Sequence, residues 1–353
     1  MPSHVESPIV DLRSDTVTRP TAAMRDAMSA APLGDDVFGD DPSINLLQTT
    51  LAERLGFEAA LFVPTGTQSN LCAILAHCQR GDEYIVGQMA HAYRWEGGGA
   101  AVLGSVQPQP LEHQADGMLA LAAIEAAIKP DDVHYARTRL LALENTIGGK
   151  LLPFDQVLAA TQLAQHRGLA RHLDGARLFN AATAQAALSG DEVFHEARRI
   201  AGCFDSVSVC FSKGLGAPVG SVLCGSRDFI KRAHRLRKMV GGGMRQAGVL
   251  AAGALHALDN HVDRLTDDHA NCKRLADGLA GIDGLQVETP QTNILFVELT
   301  GGARERSADL LAHLKRHGVL ALGLYQLRFV THLDVDSAGI DRAIAAVRSF
   351  FKA

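Results

Sequence analysis

Leu169-Ala170-Arg171-His172-Leu173-Asp174-Gly175-Ala176-Arg177 is a largely apolar run that ends in an acid, and Ser206-Val207-Ser208-Val209-Cys210-Phe211-Ser212-Lys213-Gly214-Leu215-Gly216 is a second apolar run that leads into a lysine. Both read as buried strands, each with one chemical group just past its end. Ligands of open α/β sheets gather at the carboxyl ends of the strands. Outward from this pair, further strands are predicted at Ala60–Val63, Tyr84–Val86, Leu140–Leu143 and Ser221–Cys224. Between them lie helical patterns at Ser69–Cys78, Leu121–Ile128 and Val157–His166, the last closed by Gly168. Strands alternating with helices predict a mostly parallel sheet, an α/β architecture.

Past Ile230 the pattern changes. Helical text runs from Ala247 to Leu279, followed by an apolar run at Ile294–Leu299, a helix at Ala308–His317, short runs at Val319–Leu322 and Leu327–Val330, and a last helix at Ile340–Phe351. This is the pattern of a smaller α+β domain. The expected division is an N-terminal arm (1–20), with a helix starting near Ala22, a large domain (21–250) and a small C-terminal domain (251–353). A chain of 353 residues exceeds one compact core and fits two.

Composition removes several function classes. Hydrophobic residues make up 47%, ample for a large core, and the formal charge of −5 gives no electrostatic case for nucleic acid. The basic run Lys231-Arg232-Ala233-His234-Arg235-Leu236-Arg237-Lys238 reads instead as a helix flanking an anionic cofactor or facing a partner subunit. No apolar run spans a bilayer, and the stretch Met1–Val10 lacks a basic signal region. Cys72, Cys78, Cys203, Cys210, Cys224 and Cys272 form no C-x-x-C pair, so a reduced, cytoplasmic protein is expected. His313 and His317 stand four apart without a neighbouring Glu or a third ligand, and no metal site is read there.

The chemistry concentrates in four places. Lys213 can form a Schiff base with an aldehyde, although a lone lysine is ordinarily a solvated one. The Gly214-Leu215-Gly216-Ala217-Pro218 tail argues for a shaped loop around it. Asp174 can hold a pyridinium N–H; its alternative is a helix cap. Together they fit pyridoxal phosphate (PLP). Pro64-Thr65-Gly66-Thr67-Gln68-Ser69-Asn70 follows a strand and opens a helix. Such a turn is commonly only a cap, but beside Lys213 and Asp174 it reads as a phosphate site at Gly66 and Thr67. His91, following the strand at Tyr84–Val86, suits ring stacking and proton exchange. Arg177 suits a substrate carboxylate, with a surface ion pair as its alternative.

These residues and their order resemble the low-specificity L-threonine aldolases, PLP enzymes of the aspartate aminotransferase-like fold (fold type I). The similarity runs from Asp11-Leu12-Arg13-Ser14-Asp15-Thr16-Val17-Thr18 through Gly34-Asp35-Asp36-Val37-Phe38-Gly39-Asp40-Asp41-Pro42 and Gly241-Gly242-Gly243-Met244-Arg245-Gln246 to Thr331-His332-Leu333-Asp334-Val335. The resemblance implies cleavage of L-threonine and L-allo-threonine to glycine and acetaldehyde, within threonine catabolism and glycine biosynthesis. It implies Lys213 as the Schiff-base lysine, Asp174 as the pyridinium partner and His91 as the stacking histidine. Gly66 and Thr67 would hold the phosphate, with Arg245 reaching a neighbouring subunit's phosphate. Ser14, Arg177 and Arg328 would take the substrate carboxylate, and His134 would stand near the substrate hydroxyl. The base at that hydroxyl is His91, His134 or a water held by them. A homotetramer, a dimer of dimers with active sites at dimer interfaces, is also implied.

The sequence departs from the family at Phe38, where tyrosine is common, at Trp95, where a smaller aromatic is common, and at Ile147-Gly148, which replace His-Asn. Two rivals stand beside this reading. One is another PLP-dependent carbon–carbon or β-elimination lyase acting on a β-hydroxy amino acid. The other is a PLP-free binding or scaffold protein, against which the presence of Lys213 and Asp174 argues.

Overall fold

A computed structural model describes residues 9–352; the polar stretch before Ile9, read above for signal features, lies outside the described residues. The chain forms two compact units, one of residues 20–263 and one joining the residues up to Arg19 with those from Arg264 onward. This division differs from the one read along the sequence. Val10 and Asp11, expected in an N-terminal arm, belong to the smaller unit instead: as β1 (Val10–Asp11) they pair in parallel with a strand at Val319–Leu320. The helical text at 247–279 is two helices, Gly248–Asn260 and Leu265–Leu279, and the break between them is the unit boundary.

The larger unit is built on seven strands: β2 (Ala59–Val63), β3 (Asp82–Gly87), β4 (Gln107–Leu111), β5 (Arg137–Glu144), β6 (Ala170–Gly175), β7 (Ser206–Cys210) and β8 (Ser221–Gly225). Their order is β2-β8-β7-β6-β5-β3-β4, and β8 alone runs against the others. Every residue of β3, β7 and β8 is buried, as expected where helices cover both faces. Two of those helices, Gly66–His77 and Arg227–Met239, contribute Cys72, Ala73, Phe229 and Ala233 to a cluster with Leu61, Val63 and Leu223 of the sheet.

Both sheet edges carry their own protection. At β4, Pro108 and Pro110 lie on the last strand, where a missing N–H breaks no ladder. The same prolines hide this strand from a periodicity reading. At β2, Phe62 N donates to Gln48 Oε1 (2.8 Å), and Phe62 O accepts from Arg237 Nη1 (2.7 Å). Arg237 also meets Asp36 Oδ2 at 2.7 Å, and both side chains are buried. The basic run therefore spends one of its arginines on closing a sheet edge, the usual remedy for unpaired backbone.

The smaller unit holds β9 (Leu285–Val287), β10 (Ile294–Leu299), β11 (Val319–Leu320) and β12 (Gln326–Val330). β12, β10 and β9 form an antiparallel sheet. Alternate residues Leu295, Val297 and Leu299 pack with Leu275 and Leu279 of helix Leu265–Leu279 and with Ile340 and Val347 of helix Ser337–Lys352.

Candidate active site

The carboxyl ends of the parallel strands converge on a cavity of about 250 Å³ in the larger unit, lined by residues that include Thr65, Gly66, Thr67, Asn70, His91, Asp174, Cys210, Ser212 and Lys213. Strand order explains the meeting. Ser221, at the start of β8, pairs with Val63 on one side and Cys210 on the other. Only one strand thus separates the turn at Thr65–Thr67 from the loop at Ser212–Lys213. β6, next to β7, adds Asp174.

Thr65 caps the helix Gly66–His77, its Oγ1 accepting from Gln68 N at 3.1 Å. The first N–H groups of such a helix lack intrahelical acceptors and favour an anion. Gly66 is required by space: a Cβ there would stand 2.7 Å from Cys210 Sγ. Of the glycines at 241–243, Gly242 is the crowded one: a Cβ there would displace the Gln68 amide, whose Oε1 would lie 1.6 Å away.

Asp174 is buried and does not cap the following helix; Arg177 occupies that N-cap position before Leu178–Ser189. Asp174 Oδ1 accepts from Ala176 N at 3.0 Å, and Oδ2 accepts from Asn70 Nδ2 at 2.7 Å. Asn70 Nδ2 also reaches Glu96 Oε1 at 2.9 Å. His91 opens a short helix (His91–Arg94) after β3, with Nδ1 2.8 Å from that same Glu96 oxygen and its backbone N donating to Glu144 Oε2 at 2.6 Å. The hydrogen bond to Glu96 raises the imidazole pKa above its ordinary 6.5, more than burial lowers it. Burial first, and the charge of Asp174 second, push the Glu144 carboxyl well above the usual carboxylate range. Arg177 shares a small adjoining cavity with Asn180 and Lys213.

An amine, a buried carboxylate, a half-exposed imidazole and a helix N-terminus around one cavity form the donor set for a phosphorylated pyridine aldehyde. Lys213, Asp174, His91, Gly66 and Thr67 are therefore brought together, with Arg177 beside them. The other predicted residues are not among those that line this cavity. His134 precedes β5 at its amino end, with an 80% exposed side chain and Nδ1 2.6 Å from Asp132 Oδ1. The eight residues of β5 separate it from Glu144 by roughly 25 Å at about 3.3 Å per residue. Within one chain it does not line the Lys213 cavity. Arg245 points outward and pairs with Asp35 Oδ2 at 3.1 Å. Ser14 and Arg328 belong to the smaller unit. There Ser14 Oγ accepts from Thr16 N at 3.2 Å, and Arg328 Nη1 donates to Arg13 O at 3.4 Å.

Sequence reasoning assigned no role to Asn70, Glu96, Glu144 or His172. Asn70 stands one helical turn past Gly66, and Glu96 follows His91 by five, but no residue pattern marks an asparagine as a bridge between two carboxylates. Of the departures, Ile147 is buried in a tight turn with Lys150, so it offers no polar group where the family has histidine. Phe38 and Trp95 are exposed.

The family profile described as beta-eliminating lyase matches residues 11–301. A low specificity L-threonine aldolase of Escherichia coli (strain K12) is 52% identical over 342 residues, covering 97% of this chain and 99% of that protein. The low-specificity L-threonine aldolase 1 of Arabidopsis thaliana is 42% identical over 341 residues, covering 94% of this chain and 93% of that one. Among solved structures, a Leishmania major threonine aldolase superposes with a TM-score of 0.80 at 22% identity, covering 97% of this chain and 99% of that chain, a likeness of fold.

Proposed function

We propose, since this chain belongs to the low-specificity L-threonine aldolases of the beta-eliminating lyase family, that it cleaves L-threonine and L-allo-threonine to glycine and acetaldehyde. The observation that carries this reading is the convergence of Lys213, Asp174, His91 and the Gly66–Thr67 helix start on one cavity. Pyridoxal phosphate, when bound there, supplies the electron sink for the pair released as the Cα–Cβ bond breaks.

Lys213 is the amine that would hold this cofactor covalently. The N–H groups of Gly66 and Thr67 would take its phosphate, Asp174 its ring nitrogen and His91 one face of its ring. Arg177, with Ser14 and Arg328, would clamp the substrate carboxylate and so aim the Cα–Cβ bond, a gain of orientation. A base takes the β-hydroxyl proton, that oxygen becomes the carbonyl of acetaldehyde, and Cα gains a proton to leave as glycine.

Of the two histidines considered as base, His91 is the one that lines the cavity. A group with a raised pKa accepts only above it, so with His91 as base the rate climbs with pH through a midpoint above 6.5. Glu96→Gln weakens the partner and brings that midpoint down. The sign for stability is opposite: the His91–Glu96 contribution is present below the ordinary imidazole value of 6.5 as long as Glu96 stays ionised, and it is lost as pH rises through the raised His91 pKa. The assay that tests the reading measures acetaldehyde from L-threonine, L-allo-threonine and D-threonine. Cleavage of both L-diastereomers and not of the D-isomer is expected. Pyruvate from L-serine without acetaldehyde from threonine would favour a β-elimination lyase instead.

The reading extends to a homotetramer whose sites are completed between subunits. Its support is the outward Arg245 beside exposed Phe38 in one region and exposed Trp95, Val102 and Leu103 in another, since large exposed apolar side chains mark association surfaces. Arg245 would reach a neighbour's phosphate, and His134 a neighbour's substrate. Mixed assemblies of Arg245→Ala and Lys213→Ala chains should then recover activity, because one site in a hybrid regains both groups. Hybrids no more active than their parents would remove this part. Among the described residues no helix is long and apolar enough to cross a membrane, and the six cysteines are buried free thiols, which supports a reduced, cytoplasmic setting.

A further inference from the structure

Behind Asp174 lies a row of buried polar groups that the chemistry above does not use. His172 and Asp174 are two apart on β6, so the pleat turns both to one face of the sheet. Asn70 and His77 are seven apart on helix Gly66–His77 and share one side of it. These surfaces meet. Asn70 Oδ1 lies 3.1 Å from His172 Nε2, while Asn70 Nδ2 holds Asp174 Oδ2 at 2.7 Å. His172 Nδ1 lies 2.8 Å from Ser206 Oγ, and Ser206 Oγ lies 2.7 Å from His77 Nε2. The His77 ring stacks on Phe229 at 4.4 Å between centroids.

Chemistry assigns the protons along this row. Asn70 faces two carboxylates, of Asp174 and Glu96, which accept; its NH₂ must be there, and its oxygen must face His172. An amide oxygen at that distance requires an N–H, so His172 carries a proton on Nε2. Burial is the largest influence on both histidines and lowers His172 to about 4 and His77 to about 3, so each is neutral near pH 7 and has a single N–H. Nδ1 of His172 therefore accepts from the Ser206 hydroxyl, and the Ser206 oxygen accepts from His77 Nε2–H. Every hydrogen bond points the same way, toward Asp174.

We propose that His77, Ser206, His172 and Asn70 form a one-way hydrogen-bonded chain that holds the Asp174 carboxylate aimed into the cavity, making His172 and Ser206 positioning residues for the reaction. The effect on catalysis rests on the reading that Asp174 partners the cofactor nitrogen. No proton travels along the chain. Each donor polarises the next, and the last N–H bond, to the Asp174 carboxylate, is strengthened and better fixed in direction.

His172→Gln and His172→Met separate this role from simple filling of space. Glutamine can donate to Asn70 and accept from Ser206; methionine has similar bulk and no donor. With PLP as the probe, His172→Met should raise its dissociation constant and lower kcat, each about tenfold, as losing support for a charged hydrogen bond does. KM should stay near the parent value, and the pH at which bound PLP changes its absorbance should shift. His172→Gln should recover most of each effect. Ser206→Ala should move the same readouts in the same direction by less, and it carries the test if the methionine variant does not fold. In the cofactor-free protein, ¹⁵N NMR should find His172 and His77 protonated on Nε2. Equal behaviour of the glutamine and methionine variants, an unchanged Ser206→Ala protein, or a proton on His172 Nδ1 would each overturn the chain. A parent protein that takes up no PLP would count against the reading of the cavity, and the NMR result would still decide the chain.

Discussion

Lys213→Ala should lose the absorbance of bound PLP above 400 nm and at least ~10⁴-fold in kcat, the scale seen when a group that acts covalently is removed. Lys213 is the lysine lining the cavity that also holds Asp174, His91 and the Gly66 helix start. Borohydride reduction of the parent protein followed by peptide mapping should place the cofactor on this residue. Label on another lysine, or turnover within tenfold of the parent, would contradict the assignment. Folding should survive, because the loop is also held by backbone bonds: Gly216 N donates to Lys213 O at 2.8 Å, and Ala217 N to Phe211 O at 2.9 Å.

Asp174→Asn should cost roughly 100-fold or more in kcat while retaining PLP, the scale of losing one preorganised charge partner in a transition state. The geometry explains why the effect should be on rate and not on folding. An asparagine oxygen can still accept from Ala176 N or from Asn70, so one of the two side-chain hydrogen bonds persists in a side chain of the same shape. What disappears is the carboxylate that, on the proposed reading, would face the cofactor's ring nitrogen. Near-normal turnover would leave Asp174 with only its structural bonds to Ala176 and Asn70. The comparison of kcat, KM and PLP affinity in this variant separates the two.

The sheet was legible wherever it is buried on both sides. Ser206–Cys210 and Ile294–Leu299 are strands over the very residues that their apolar runs predict, and Gly66–His77 starts where its threonine cap and glycine stand. β4 was not legible, because Pro108 and Pro110 argue against a strand everywhere except at an edge. At the site, the residues with distinctive chemistry at strand ends could be read: Lys213, Asp174, His91. The buried acids that surround them could not. Glu96 and Glu144 look like ordinary surface acids in the chain; only burial beside Asp174 makes them otherwise.

The sequence by itself determined the local structure and the chemical groups, because strand and helix periodicity, caps and glycines act over a few residues. It determined that a lysine, an acid and a phosphate turn each follow an apolar run. Tertiary structure decided which of them meet. The antiparallel β8, lying between β2 and β7, draws Gly66 toward Lys213, and the packing of helix Gly66–His77 on the sheet joins Asn70 to Asp174 across 104 positions of chain. It also placed β1 beside β11 and left His134 at the far end of β5. Such pairings rest on long-range burial and hydrogen bonding, whose partners no local pattern specifies, because each depends on the order in which whole strands are laid side by side.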